Sequence, residues 1–366
     1  MKQRIQFRLV HALEVRLRST KIGPACHHEA HEGHEVTGPA SRVGPCPTIR
    51  GSEAEMKIGG ARPHPAEVTM KLSAAFELAP LTLAGPRIKA GFHCHTVNSD
   101  GGLSPEETVK HHRAKGYQCL GITDHRCVTP ARGFSDGEFL ALDSTENGGD
   151  PDIIGVGVKS AVPVELSLEE KAAKLAAQGG FTIAAHPTYC GVLPEQYVNC
   201  PDLMALEIYN AYCDQAYANG LATELWDMVL GLGKRVWGVA GDDAHLNPDK
   251  GYYSDAGFGW VEIWAEELSR ESVLDALKRG MFFSTQGPTF ERIDVEEGAI
   301  RIACSPVAEV RWRTFGHTGF VDHAPEGDAL TESALPEWFK PNGFVRVELV
   351  DRQGRKAWSN PLFVHG

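Results

Sequence analysis

The chain has 366 residues, of which 42% are hydrophobic and 23% charged; these proportions are typical of a soluble globular protein with one large domain and a smaller one. No run approaches the roughly 18 uninterrupted apolar residues of a membrane span, so the sequence excludes an integral membrane protein. The net charge of −12 argues against a nucleic-acid groove as the main function, because nucleic-acid-binding proteins usually carry a basic face.

The first part of the chain, residues 1–85, differs in composition from the rest. From Gly23 to Pro65 it is dense in Gly, Pro, His and Glu, and such a segment cannot bury enough apolar surface to offset its ordering entropy. We predict a disordered extension. An upstream start codon, with Met56 or Met70 as the natural first residue, is an equal alternative. Four closely spaced histidines of this part form a pattern that favours a polar tail over a zinc or nickel site: His27, His28, His31 and His34.

From about residue 88, short apolar runs alternate with amphipathic helices. The predicted strands are Ile88–His93, Tyr117–Thr123, Phe181–Ala185, Met204–Tyr209, Arg235–Ala240 and Met281–Thr285. Four helices are predicted. One begins after Ser104, one begins after Ser167, one runs from about Asp214 to Leu232, and the last begins after Ser269. Ser104 and Ser167 are each followed three residues later by a glutamate, which is the pattern of a capping box. Strand–helix alternation of this kind implies a parallel sheet with helices outside it.

After about residue 288 the helical patterns stop. Phe290–Ala303 is predicted to form two strands joined at Glu297-Gly298, and Phe344–Val350 pairs with Ala357–Val364. We therefore predict an α/β domain over residues 86–288 and a small antiparallel β region over residues 289–366. The β region could pack on the α/β domain, contact substrate or mediate dimerisation, and the sequence does not separate these roles.

The nine cysteines are odd in number, scattered, and contain no C-x-x-C pair. This usage is typical of reduced thiols and predicts a cytoplasmic protein without a disulfide framework. The number of histidines, sixteen, is the unusual feature of the composition, and several of them follow predicted strands.

Polar residues collect where the predicted strands end. His93-Cys94-His95 follows the first strand, Asp124-His125 the second, His186 the third, and Asp242-Asp-Ala-His245 a later one. Because the carboxyl ends of parallel strands meet at one edge of a sheet or barrel, several strands would bring His and Asp side chains to one rim.

The spacing within these motifs indicates which side chains lie on the same face of a strand. Side chains two residues apart on a strand point to the same face, so His93 and His95 can share one metal ion, as can Asp243 and His245. Imidazole nitrogens combined with carboxylate oxygens suit zinc, manganese or iron. Cys94 lies on the opposite face of its strand, and we predict that it packs in the core.

The ordered motifs also carry a family resemblance. They are Phe92-His-Cys-His-Thr96 leading to Ser99-Asp-Gly101, Gly121-Ile-Thr-Asp-His125, Ala185-His-Pro187 and Gly241-Asp-Asp-Ala-His245. Over residues 88–366 the chain resembles the PHP (polymerase and histidinol phosphatase) family, and most closely its stand-alone metal-dependent phosphoesterases, which include carbaryl-hydrolase-like proteins. The resemblance implies a distorted (β/α)7 TIM-like barrel that holds two or three divalent metal ions, Mn²⁺, Zn²⁺ or Fe²⁺.

The resemblance also implies roles for individual residues. His93 and His95 would bind the first ion with Asp243, and His186 would bind the second ion and share a bridging Glu146 with the first. A third ion, or the completion of the cluster, would fall to Asp100, His125 and His245. The expected catalytic residues are Glu146, Asp243 and His245.

One departure leaves the number of ions open. The family commonly supplies another histidine shortly after the bridging glutamate, and no histidine occurs between His125 and His186. Asp150 or Asp152 stands nearest the expected place. Either residue substitutes for the histidine, or the second ion binds weakly or is lost.

Further residues near the motifs carry expectations of their own. Asp124 and Asp242 are expected to orient the ligand histidines. Arg126 could meet a phosphate, but a surface salt bridge is the favoured role. His111 and His112 follow a capping box on a helix and are expected to face solvent.

Three functions remain open at this stage. The first is a hydrolase that cleaves a small phosphomonoester or nucleotide with a metal-activated hydroxide. The second is a hydrolase of a carboxyl or carbamate ester or an amide, acting through the same ions, and the third is a non-catalytic metal-binding module. The expected partner is a small phosphorylated or ester substrate, with no membrane, nucleic acid disfavoured, and the oligomeric state open.

Overall fold

The computed structural model describes residues 81–149, 151–247, 255–296 and 299–364. The predictions for residues 1–80 of the N-terminal extension, including its histidines and alternative starts, lie outside the described residues, as do Asp150 and the turn at Glu297-Gly298. The end of the predicted extension is described, and disorder is wrong there, because Leu81–Ala84 forms a strand that pairs with Phe290–Glu296. No helix in the described ranges is long and apolar enough to cross a membrane.

The described part of the chain contains eighteen strands and seven α-helices. The strands are β1 (Leu81–Ala84), β2 (Ile88–Gly91), β3 (Cys119–Ile122), β4 (Leu140–Asn147), β5 (Ile153–Val156), β6 (Phe181–Ala184), β7 (Ala205–Asn210), β8 (Trp237–Gly241), β9 (Trp260–Ile263), β10 (Phe282–Thr285), β11 (Phe290–Glu296), β12 (Ala299–Val307), β13 (Glu309–Arg313), β14 (Gly319–His323), β15 (Leu330–Ala334), β16 (Phe344–Val350), β17 (Lys356–Ser359) and β18 (Leu362–Phe363). The helices are α1 (Pro105–Ala114), α2 (Leu168–Ala176), α3 (Pro187–Cys190), α4 (Pro194–Val198), α5 (Ala211–Tyr217), α6 (Thr223–Gly231) and α7 (Arg270–Lys278).

Most strands belong to one large sheet. Its order is β14-β13-β16-β17-β10-β9-β2-β3-β4-β5-β6-β7-β8, and β18 pairs beside β16. The strands β2, β3 and β4 run parallel to one another, as do β6, β7 and β8, but β5 is antiparallel to both of its neighbours. A separate sheet of four strands has the order β1-β11-β12-β15.

The two ends of the run from β2 to β8 meet beyond their last paired residues. Cys94 forms an isolated parallel bridge with Ala244, and the His95 N–H donates to the Ala244 carbonyl at 2.9 Å. The segment that carries His93 and His95 is therefore joined to the segment that carries Asp243 and His245. The predicted mixed α/β class is confirmed, and the described fold is richer in sheet than the strand–helix alternation predicted.

The two predicted capping boxes are both present. The Ser104 hydroxyl accepts a hydrogen bond from the Glu107 N–H at 3.3 Å, and the Glu107 carboxylate accepts one from the Ser104 N–H at 3.0 Å. Ser167 and Glu170 make the same reciprocal pair at the start of α2. These helix starts were predictable because both partners of each bond lie within four residues of sequence.

The single helix predicted from Asp214 to Leu232 is wrong, because the chain forms two helices, α5 and α6. Ala218 adopts a left-handed conformation at φ 53°. Gly220 comes so close to β7 that a Cβ there would lie 2.1 Å from the backbone carbonyl oxygen of Asn210. The Asn210 N–H donates to the Gly220 carbonyl at 2.9 Å. This approach of the backbone to β7 breaks the helical path.

His112 is buried, so the expectation that it faces solvent is wrong. It lies on the inner face of α1 one turn after Thr108, whose carbonyl accepts the ring Nδ1–H at 2.8 Å, and it packs edge-on against Tyr117. His111 is partly buried and pairs with Asp255 at 2.6 Å. Cys94 is fully buried in the core, as predicted.

Candidate metal centre

All eight residues that the sequence indicated as metal ligands fall in one cluster at the strand ends. The donor atoms form three overlapping groups, each within 4.8 Å. The groups are His93, His95 and Asp243; His93, Glu146 and His186; and His95, Asp100, His125 and His245. The structure thus brings together side chains from the ends of β2, β3, β4, β6 and β8.

The first group lies deepest, and its three members are buried. The Asp243 Oδ1 atom is 3.3 Å from His93 Nε2 and 3.1 Å from His95 Nε2. Asp243 adopts a left-handed backbone conformation at φ 52°. Strain of this kind in a non-glycine residue is retained where the surroundings fix the geometry of a site.

Glu146 occupies the middle of the cluster and is fully buried. Its Oε1 atom is 3.0 Å from His186 Nε2. Its Oε2 atom is 3.4 Å from both His93 Nε2 and His95 Nε2, and 3.1 Å from His125 Nδ1. A carboxylate with one oxygen toward each of two histidine groups has the geometry of a bridging ligand.

The third group lies at the mouth of the cluster. The Asp100 carboxylate is 3.3 Å from His245 Nε2 and 3.6 Å from His125 Nε2, and 38% of the Asp100 side chain is exposed. These residues therefore form the side of the cluster that a substrate could reach.

Three buried atoms of the cluster that could bind a metal ion make no hydrogen bond within the described part of the chain: His93 Nε2, His95 Nδ1 and Glu146 Oε2. Buried polar atoms are normally hydrogen-bonded, because an unsatisfied one costs about 1–3 kcal/mol. A set of imidazole nitrogens and carboxylate oxygens is also the donor set that zinc, manganese and iron take in proteins. The residues present therefore fit divalent metal ions.

The carboxylates of the cluster are held in their charged form. Burial opposes ionisation of Glu146, but the charge of His93 and the hydrogen bond from His186 hold its pKa well below the usual range. Burial likewise opposes ionisation of Asp243, and His93 and His95 lower its pKa despite this. Buried anionic oxygens that face one another are a strong local attraction for cations.

Glu207 was not among the predicted site residues, yet it holds two ligands in place. Its Oε1 atom accepts the Nδ1–H of His93 at 2.8 Å, and its Oε2 atom accepts the backbone N–H of His186 at 2.8 Å. Its Oε2 also accepts from the Asn210 side chain, which donates in addition to Asp243 at 3.2 Å. A lone carboxylate inside the apolar strand β7 was the signal that could have identified it.

The expectation that Asp124 and Asp242 orient the ligand histidines is wrong. Asp124 accepts from the N–H and hydroxyl of Thr96 and from Ser99, each at 2.7 Å, and so fixes the turn that carries Asp100. Asp242 accepts three backbone N–H groups of residues 257–259 and the hydroxyl of Tyr117. The physical reason is strand alternation, because adjacent residues such as Asp124 and His125 point to opposite faces.

Three further residues lie beside His186 and His125: Asp152, Cys190 and Arg126. Asp152 Oδ2 is 4.0 Å from His186 Nε2, and Cys190 Sγ is 3.4 Å from His186 Nδ1. Burial, followed by the charge of nearby Glu146, raises the pKa of Asp152. The salt bridge expected for the exposed Arg126 is not found among the described residues, which do not include Asp150.

No protein-family model matches the chain. Among curated proteins, the chain is 29% identical over 153 residues to an uncharacterised protein of Methanocaldococcus jannaschii, a match that covers 37% of this chain and 89% of that protein.

Solved structures give three neighbours of low identity. A two-domain protein of Bacteroides vulgatus, which contains a predicted PHP-like metal-dependent phosphoesterase, matches 80% of this chain and 96% of its own at 16% identity and a TM-score of 0.42. A candidate metal-dependent phosphoesterase of Bifidobacterium adolescentis matches 52% of this chain and 96% of its own, at 16% identity and a TM-score of 0.36. An amidohydrolase of Chromobacterium violaceum matches 43% of this chain and 87% of its own, at 14% identity and a TM-score of 0.33.

Proposed function

We propose that this protein is a PHP-type metal-dependent hydrolase that cleaves a small phosphomonoester or a nucleotide. The observation that carries the proposal is the convergence of eight His, Asp and Glu side chains on one cluster, in which three buried donor atoms lack hydrogen bonds. The cluster opens to solvent on the side of Asp100, where a substrate can enter.

We assign the ligands by the three groups of the cluster. His93, His95 and Asp243 would hold the first ion and His186 the second, and Glu146 contacts both sets of histidines. A third ion would fit Asp100, His125 and His245 at the mouth.

Bound there, the ions would lower the pKa of a coordinated water toward neutrality and offset negative charge on the ester oxygens. Glu207 keeps the proton of His93 on Nδ1, so that Nε2 faces the cluster with its lone pair. His245 lies nearer the surface than His93 or His95 and contacts Asp100, so in the form of the site that holds two ions it is our candidate for transferring a proton to the leaving group.

Asp152 is the described residue best placed to take the part of the missing histidine. It immediately precedes β5, and its Oδ2 atom lies 4.0 Å from His186 Nε2. If it is a ligand, Asp152→Asn will weaken the binding of one ion by tenfold or more, while Asp275→Asn on the exposed face of α7 will not. Metal analysis after equilibrium dialysis checks this, and equal ion content in both variants would exclude Asp152 as a ligand.

We also propose that the run β2–β8 is a distorted seven-stranded barrel. The parallel bridge between Cys94 and Ala244 supports it, because this bridge joins the segments that follow the first and the last strand of the run.

A substrate panel with Mn²⁺, Zn²⁺ and Fe²⁺ tests the proposed reaction. We expect turnover of p-nitrophenyl phosphate, and its loss together with bound metal in His95→Ala and Asp243→Ala. Turnover of p-nitrophenyl acetate alone would replace the phosphoesterase by a carboxyl-ester hydrolase. Binding of at most one ion with no hydrolysis would leave a non-catalytic metal-binding module.

A further inference from the structure

Three tyrosine rings form a continuous contact chain along one rim of the metal centre. The Tyr189 ring lies 5.5 Å from the ring of His186 and 5.3 Å from that of Tyr217. The Tyr217 ring lies 5.9 Å from Tyr212, whose ring is 4.9 Å from His245. We call Tyr189, Tyr212 and Tyr217 the tyrosine wall, and it extends from a ligand of the second group to a ligand of the third.

The wall presents apolar surface to solvent beside a highly polar cluster. Tyr189 is 50% exposed and Tyr217 46% exposed, and the neighbouring Leu193 and Leu221 are 64% and 41% exposed. Large apolar side chains grouped in this way beside a cleft are a common mark of a ligand-binding surface.

Hydrogen bonds hold the two halves of the wall together. Tyr189 lies on α3 and Tyr217 ends α5. Thr188, the residue before Tyr189, is hydrogen-bonded to the segment that follows Tyr217. The Thr188 hydroxyl donates to the Leu221 carbonyl at 3.1 Å, and the Asn219 side chain donates to the Thr188 carbonyl at 3.3 Å. The rings are therefore presented on fixed backbone, which limits the entropy that a ligand must remove when it binds.

The mouth of the cluster has a different chemistry. It includes Asp100 and His125, and the side chain of Arg126, the residue after His125, is exposed. A bound ester with its polar end at the cluster could place an apolar end against the wall.

We propose that the tyrosine wall binds a planar aromatic ring on the leaving group of the substrate. The substrate class is an ester of a phenol, or of another alcohol that carries an aryl or nucleobase ring, rather than a small aliphatic ester. This inference rests on the proposed hydrolytic function, because it assigns the group next to the bond that is cleaved. Stacked or edge-on aromatic pairs contribute about 0.5–1.5 kcal/mol beyond area burial, which corresponds to a preference of about twofold to tenfold.

Calorimetric binding of three phosphonates to the metal-loaded full-length protein tests the wall. Phenylphosphonate has a planar ring, cyclohexylphosphonate a saturated ring of similar size, and methylphosphonate no ring. We expect phenylphosphonate to bind about twofold to tenfold more tightly than cyclohexylphosphonate, and by a wider margin than methylphosphonate, which also lacks the apolar area of a ring. Equal affinities of the phenyl and cyclohexyl compounds, or binding of neither, would overturn the inference.

Matched variants separate the wall from general damage. Tyr217→Ala and Tyr189→Ala should remove the phenyl preference, whereas Tyr217→Phe should keep it. Trp338→Ala, which removes an aromatic side chain that is 62% exposed on the β region, should have no effect. A phenyl preference that survives both alanine variants would contradict the assignment.

The outcomes also distinguish the wall from the reaction. Hydrolysis of p-nitrophenyl phosphate without any phenyl preference in binding overturns the wall and leaves the hydrolase standing. A phenyl preference without hydrolysis of any ester supports the wall as a ring-binding surface and contradicts the proposed reaction.

Discussion

Glu207 connects parts of the metal centre that come from three different strands. One of its oxygens fixes the ring of His93, and the other fixes the backbone at His186 and the side chain of Asn210. Asn210 in turn reaches Asp243. A carboxylate that orients metal-binding histidines in this way determines which ring nitrogen is available to the ion.

Glu207→Gln therefore should weaken metal binding without unfolding the protein. The amide keeps the shape of the side chain, but it puts a donor where one of the oxygens accepted a hydrogen bond. We expect about tenfold to hundredfold weaker binding, measured by competition with a chromophoric chelator. Glu169→Gln, on the exposed side of α2, is the control, and unchanged affinity in Glu207→Gln would show that His93 is oriented without it.

His112 should make the folded state sensitive to acid. Burial lowers the pKa of His112 to about 4, and His111 beside it adds to the effect. The folded state favours neutral His112, so stability is lost as the pH falls from the ordinary value near 6.5 toward 4. Between pH 7 and pH 5 the free energy of unfolding of the native protein should fall by about 2 kcal/mol more than that of His112→Gln.

Urea unfolding at the two pH values measures this difference. His323→Gln, which changes an exposed histidine, should lose as much stability as the native protein. If His112→Gln loses as much as the native protein, the buried ring is not the cause.

The sequence predicted which residues form the cluster better than it predicted the residues that support them. His93 and His95 are two residues apart just after a strand, so their common face follows from local geometry. The partners of Asp124, Asp242 and Glu207 lie far away in sequence, and no spacing rule specifies them.

At the scale of elements, the break between α5 and α6 positions both the metal centre and the tyrosine wall. Helical periodicity runs through residues 214–232, which is why one helix was predicted. The break depends on the approach of Gly220 to β7, a contact between segments, whereas the two capping boxes depend on neighbours in sequence. Local rules therefore predicted where helices begin but not where this one is interrupted.

Gly220→Ala should disturb stability and the metal centre together. The added Cβ would lie 2.1 Å from the Asn210 oxygen and 2.5 Å from the Asp214 nitrogen, and these backbone atoms must move. We expect a loss of about 1–3 kcal/mol in the free energy of unfolding, with weaker metal binding because Asn210 contacts Glu207 and Asp243.

Denaturant unfolding and metal titration of Gly220→Ala check both effects. Gly137→Ala is the matched control, since nothing lies within 4 Å of its added Cβ. Normal stability in Gly220→Ala would mean that the chain at this turn can shift at little cost.

At the scale of the whole described fold, the C-terminal strands continue the large sheet. The strand β10 pairs with β9 on one side and with β17 on the other. A buried ion pair adds to this junction, because Arg346 of β16 donates to both oxygens of Asp227 on α6, at 2.6 and 2.8 Å. Packing against the α/β part is therefore one role of the β region, which the sequence had left open.

Asp227→Ala should be strongly destabilising, since it leaves the buried guanidinium of Arg346 without its main partner. We expect a loss of about 3–5 kcal/mol, measured by denaturant unfolding. Arg346→Met added to Asp227→Ala should recover part of this loss, because the unpaired charge is then removed. A double variant that is no more stable than Asp227→Ala would show that the loss is not caused by the isolated charge.

The bridge between Cys94 and Ala244 has a consequence for the order of folding. It joins segments that lie near opposite ends of the run β2–β8, and contacts of such long sequence separation form late because a large loop must close first. His93 and Asp243 flank this bridge, so the first ion can be held only when the strands between them are in place. If the cluster holds ions as proposed, ions that bind only the completed fold would stabilise it by mass action, and the stability of the protein would then depend on the metal supply of its surroundings.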